Sequence, residues 1–184
     1  MKPRTIIVAT ASFVLGAGVL TLPACEKKPA TSSSDTPPKP TAALPANLFL
    51  ASDPGGAKPV EQVRGNVKPG DTITIQGRVG GSMLPFVEGR AVVTIVGPDI
   101  MACADHGDDH CKTPWDYCCE TAEDIAQHSA TIQVVDDKGA LLRASLKGEH
   151  GLKELSDIIV VGKVAPAQGE VLVVNATGIY IAKK

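Results

Sequence analysis

From Asp99 to Glu120 the chain reads DIMACADHGDDHCKTPWDYCCE, placing Cys103, Cys111, Cys118 and Cys119 within 17 residues beside His106 and His110. Those residue types support two chemistries. Four nearby cysteines form a disulfide framework in an oxidising compartment, and a long loop without its own core gains most from such cross-links. Each would contribute roughly 2 to 3 kcal/mol in the chain-entropy account. Direct bonding between the neighbours Cys118 and Cys119 requires a strained ring, so each is expected to reach back to Cys103 or Cys111, and both pairings remain open. The second chemistry is a metal site. Cys103, His106, His110 and Cys111 could supply two thiolates and two imidazoles to zinc or copper, with both rings on one face if 106–110 is helical. Gly107 opposes that helix, and the spacing follows no zinc-finger framework. There is no Cys-x-x-Cys for thioredoxin-like chemistry, and the surrounding carboxylates do not follow an EF-hand loop. The disulfide framework is therefore the simpler expectation. Trp115 and Tyr117, behind Pro114, read as the packing nucleus of the stapled loop.

No other constellation suggests catalysis. The chain has no nucleophile elbow, phosphate-cradling glycine loop or metalloprotease helix. Ser82 and Ser145 lack an evident base, and His128 and His150 fall at the ends of elements. The expectation is a protein that is not an enzyme and needs no cofactor beyond the zinc or copper that the Cys/His segment could hold.

The elements that must position this loop are strands. Asp71 to Val79 (DTITIQGRV) alternates apolar and polar residues, as does Ser129 to Val135, and Arg90 to Val96 (RAVVTIV) reads as a strand that Pro98 ends. Asp136-Asp137-Lys138-Gly139 is a turn signal that predicts a further short strand at Leu141 to Leu146. Gly148 to Ser156 reads as a brief helix burying Leu152 and Leu155. Asp157 to Val164 and Glu170 to Val174 follow, separated by a turn at 165–169, with Ile179 to Ile181 extending the last strand. Between the second and third strands lies the cysteine insertion, 97–128, longer than a simple connection.

This order, with ITIQGRV first, GLKEL before IIVVGKV and VLVVNATGIYI last, resembles the OB-folds of tRNA-anticodon-binding and secreted bacterial proteins. The resemblance implies an all-β, five-stranded Greek-key barrel with one short helix and the long Cys-rich loop between strands 2 and 3. OB-folds often bind oligonucleotides through aromatics on the second and third strands and a basic groove. Neither feature is present, so an oligonucleotide-binding role is the weakest of the alternatives.

At the N-terminus, Lys2 and Arg4 precede an apolar run to Leu22, and Leu22-Pro23-Ala24-Cys25 resembles a bacterial lipobox. The resemblance implies cleavage before Cys25, lipidation of that cysteine and an extracytoplasmic chain anchored to a bacterial membrane. Glu26 after the cysteine favours the outer membrane in a Gram-negative cell. The expected layout is a signal peptide at 1–24, a lipidated cysteine with a Pro/Ser/Lys-rich tether at 25–58, and a barrel domain at 59–184. Residues 26–58 hold too few apolar groups to offset the entropy of ordering them.

Lys2 and Arg4 leave with the signal, so 16 of the 18 basic residues face 20 acidic ones. Acidic residues crowd 99–124, opposed only by Lys112. Such a surface repels phosphate backbones and argues against nucleic acid as a partner. The functional expectation is a lipid-anchored, non-enzymatic binding or interaction module of the cell envelope, with zinc or copper handling as the alternative. Its partners would be the membrane, through the anchor, and an envelope protein. Five consecutive apolar residues, 83–87, occupy a hairpin tip, so Met83, Leu84, Phe86 and Val87 either plug the barrel or meet that partner.

Overall fold

The computed structural model describes residues 42–107, 111–166 and 171–183. Its elements are β1 (Lys58–Pro59), α1 (Val60–Val63), β2 (Thr72–Val79), β3 (Val92–Val96), α2 (Ala122–His128), β4 (Ser129–Gln133), β5 (Asp157–Val164) and β6 (Leu172–Ile181), with 3-10 turns at Cys103–Asp105 and Glu149–Gly151. Strands β2 to β6 form a closed five-stranded Greek-key barrel of the OB-like kind. Antiparallel pairs join β2 to β3, β3 to β4, β6 to β5 and β5 to β2, while β4 and β6 run parallel. Among the described residues no helix is long and apolar enough to cross a membrane.

The alternation that marks the strands sorts their side chains. Ile75 and Val79 of β2, Val93 and Ile95 of β3, and Ile132 of β4 are fully buried inside the barrel with Ile158 and Val160 of β5. In β6, Leu172, Val174 and Ala176 point inward, and then Ile179 does, a change of phase. A bulge causes it: Val161 opposes Gly178 whereas Gly162 opposes Ala176, leaving Thr177 as the extra residue. Asn175 to Gly178 therefore lies within one continuous strand. Gly162 is required opposite this bulge, because a Cβ there would run into the Asn175 carbonyl.

Three expectations are corrected. Residues 141–146 form no strand; only an isolated bridge joins Val135 to Leu141. Both edges of β4 are already taken by β3 and β6, so the returning segment finds no ladder to join and packs Ala144 and Leu146 into the core instead. The helix expected at 148–156 shrinks to the 3-10 turn at 149–151. Gly148, His150, Gly151 and Leu155 all have positive φ, which no α-helix accommodates. Leu152 is nonetheless fully buried, as expected, and Leu155 is partly buried.

The third correction concerns the tether. Its described part is not detached from the barrel: Leu48 is 1% exposed within the core, and Leu44 and Phe49 pack against it. Backbone bonds from Ile179 N to Leu48 O and from Leu50 N to Ile179 O run this segment beside β6. A few well-spaced apolar residues suffice because a formed β6 supplies the partners. Cys25 and the remainder of the tether lie outside the described residues, as do His110, Glu170 and most of the 165–169 turn.

The hairpin tip divides its residues between the two roles. Phe86 is half-buried against the core, bridges Val93 and lies under Lys147 Nζ at 5.8 Å from its ring centre. Met83, Leu84 and Val87 are 65%, 83% and 47% exposed. Phe86→Ser is expected to cost about 2 kcal/mol in chemical unfolding, since it removes a partly buried ring. Met83→Ser should stay within about 0.5 kcal/mol, as exposed substitutions do. Equal losses would mean that the whole tip is a plug.

Candidate functional site

The insertion leaves β3 at Gly97 and returns through α2, and it rests on the barrel through a small second core. Val96, Ala102 and Tyr117 are buried there, with Ile100, Ile125 and Leu155 packed around them. Gly80 permits this contact, since a Cβ would press on the Trp115 carbonyl at 2.5 Å and the Tyr117 ring at 2.9 Å. Gly81 N donates to Trp115 O at 2.9 Å, and Trp115 Nε1 donates to Met83 O at 3.2 Å. Hairpin tip and insertion thus form one surface. α2 ends the insertion, with Thr121 Oγ1 accepting from Asp124 N and donating to Asp124 Oδ2. That Thr-x-x-Asp start signal was present in the sequence and was not read as a helix.

All four cysteines of the insertion are free thiols. The expected disulfides are not formed: the sulfurs of Cys111 and Cys118 stand 2.9 Å apart and those of Cys103 and Cys118 3.3 Å apart, against about 2.05 Å for a bond. Cys119 lies farther out, 4.0 Å from Cys103. Cys103, Cys111, Cys118 and Asp116 bring one donor atom each within 4.8 Å of one another, a group that could hold a metal ion. The sequence-derived ligand set is therefore recomposed. Cys103 and Cys111 belong to it, His106 does not, and Asp116 and Cys118 join. Nε2 of His106 is buried without a hydrogen-bond partner. Asp116 was missed because one aspartate among many carries no spacing signal; only the turn that aims it reveals its role.

That turn is local. Thr113 Oγ1 donates to Asp116 Oδ2 at 2.6 Å, while Cys118 N donates to Oδ1 at 2.9 Å. Burial pushes the Asp116 carboxyl upward, but these bonds outweigh it and hold the group below the ordinary carboxylate range. The Cys118 thiol is raised, first by its hydrogen bond with Cys111 and then by that with Cys103. Tyr117, between two members of the cluster, is 1% exposed and has φ 60, a left-handed conformation costly for a side chain of this size. Burial pushes its hydroxyl up to about 12, with the Arg78 charge pulling the other way.

Tyr117 also lines a cleft of about 460 Å³ between the insertion and the outer wall of β2 and β5. Arg78 crosses it, Nε donating to Asp157 at 2.7 Å and Nη1 to Asp105 at 2.6 Å. Burial works against the guanidinium charge, and the bond to Asp157 followed by the two carboxylate charges more than restores it. Pro98, Ile100, Met101 and Ile159 form apolar parts of the wall.

At the root of the insertion, both carboxylate oxygens of Glu61 are buried without a hydrogen-bond partner, packed against Gly97. Burial raises this carboxyl, and the nearby Asp99 charge adds to the shift against His128. Because the folded pKa lies above 4.5, the group favours folding fully below the unfolded value and loses that contribution as pH rises through the folded one. Glu61→Gln is therefore expected to raise the melting temperature at pH 7 and to change it little at pH 4. Paired thermal melts check this, and a neutral-pH loss would show that the charged form is the one stabilised.

Comparison with protein-family models, curated proteins and solved structures finds no match to this chain.

Proposed function

We propose that this protein is a lipid-anchored, non-enzymatic binding module of the bacterial cell envelope whose insertion is held in shape by one zinc ion. The observation that carries the metal reading is the convergence of Cys103, Cys111, Cys118 and Asp116. Three thiolates and one carboxylate oxygen suit the tetrahedral preference of zinc, while copper(I) favours sulfur alone. Zn–S bonds of about 2.3 Å set sulfurs roughly 3.8 Å apart, so loading needs only a slight opening of the cluster. Outside the cytoplasm unprotected thiols oxidise, and a bound ion would keep these reduced. The binding-module reading draws support from the OB-like barrel and from the exposed Met83, Leu84 and Val87, which Trp115 ties to the insertion.

The test uses the full chain with its signal, carrying a photo-crosslinking residue at Leu84, solubilised from the envelope and weighed intact under native conditions. Lipid mass on Cys25, one zinc per chain and a discrete crosslinked species are expected. A chain four hydrogens lighter with no metal would refute the zinc site. Absence of lipid and of any crosslink would refute the anchored module.

A further inference from the structure

Inside the Tyr117 cleft, several polar groups are left without protein partners. Tyr117 lies almost wholly within the protein, yet its hydroxyl makes no hydrogen bond among the described residues. Arg78 spends Nε and Nη1 on Asp157 and Asp105, leaving the Nη2 edge unpaired there, and the Gln76 amide is likewise unpaired. The ring is buried while its hydroxyl has no protein partner, so the oxygen is free to bond to a group that enters the cleft. The strained backbone at Tyr117 that aims it there points the same way.

The charges select the ligand. Asp157 is engaged by Arg78, and Asp53 and Asp105 line the cleft besides, so carboxylates outnumber the one guanidinium of the lining. A phosphate or carboxylate would meet repulsion, whereas a cation would be attracted. Ile100, partly buried, and Met101, 48% exposed, offer apolar surface beside these acids. We propose that the cleft binds an organic ammonium group carried on a short apolar chain, with the ammonium among Asp105, Tyr117 and Gln76 and the chain along Ile100 and Met101. An ammonium is a three-proton donor without an acceptor, and the Tyr117 oxygen and the carboxylates are the acceptors this wall provides. A lysine side chain and a free aliphatic amine share that chemistry.

The inference deepens the binding-module reading by naming its ligand class. The test is calorimetric titration of the full lipidated chain in detergent with three probes: a capped Leu-Lys-Leu tripeptide, the same peptide with Glu in place of Lys, and 1,5-diaminopentane. Saturable binding of a cationic probe is expected, weakened tenfold or more by Asp105→Asn and by Tyr117→Phe and unaffected by Asp137→Asn in the exposed turn after β4. Binding of the peptide alone assigns the ammonium to a protein side chain, and equal binding of the diamine assigns it to a free amine. Binding of neither cationic probe, or equal binding of the Glu peptide, overturns the assignment. If the Leu84 crosslink persists in that case, the cleft assignment alone has failed and the module reading stands. Tyr117→Phe keeps the buried ring, so its effect separates a lost hydrogen-bond partner from lost packing.

Discussion

Leu48→Ala is expected to destabilise the domain by about 3 kcal/mol, lowering its melting temperature by roughly 10 °C. Leu48 is 1% exposed and belongs to the same core as Ile75, Ile132 and Ile179. Its backbone is fixed at the same place, with Ile179 N donating to Leu48 O at 2.7 Å and Phe49 bridging Ile179 in parallel. Leu50 follows against Gly178, where a Cβ would stand 3.0 Å from its side chain. Truncation to residue 59 would remove all these contacts and β1 together, and should leave a chain that does not melt cooperatively. Urea unfolding with an unchanged denaturant slope would assign the Leu48→Ala loss to the native state. A loss under about 0.5 kcal/mol would make residues 42–58 the solvated tether that their composition suggests.

That contrast shows which parts of this fold could be read from residues alone. The five barrel strands were legible because each is a short run of alternating or β-branched apolar residues bounded by turn signals, and that pattern is local information. The segment around Leu48 was not, since its burial depends on a strand more than a hundred residues later. The absent strand at 141–146 has the same origin. Its pattern and the DDKG turn favour pairing, but β4 has no free edge, and edge occupancy is a property of the whole sheet. At the site, cysteine spacing located the chemistry without deciding its partners. His106 and His110 drew attention because histidine is a common ligand. Asp116 instead acquires its place from Thr113 and from the Cys118 amide, which aim its carboxylate at the sulfurs.

If the cluster holds zinc, removing the ion is expected to release the insertion while leaving the barrel folded. The barrel core comprises inward side chains from all five of its strands, whereas the insertion contributes chiefly Ala102, Cys103 and Tyr117 to burial. So small a core offsets little of the conformational entropy of a loop this long, and a bound ion would add to it. Chelation should raise amide exchange through 99–120 roughly a hundredfold or more, about 2.7 kcal/mol of lost protection, with β2 and β5 unchanged. Trp115, the single tryptophan of the chain, adds an optical readout because its Nε1 bond to Met83 O depends on the loop's position. Cys103→Ser should reproduce the effect of the chelator. Cys119→Ser should not, since that sulfur stands outside the four-donor group. If chelator changes neither exchange nor emission and a reductant changes both, the staple is covalent, and the proximity of Cys118 to both Cys103 and Cys111 is that of partners in a disulfide framework rather than ligands around an ion.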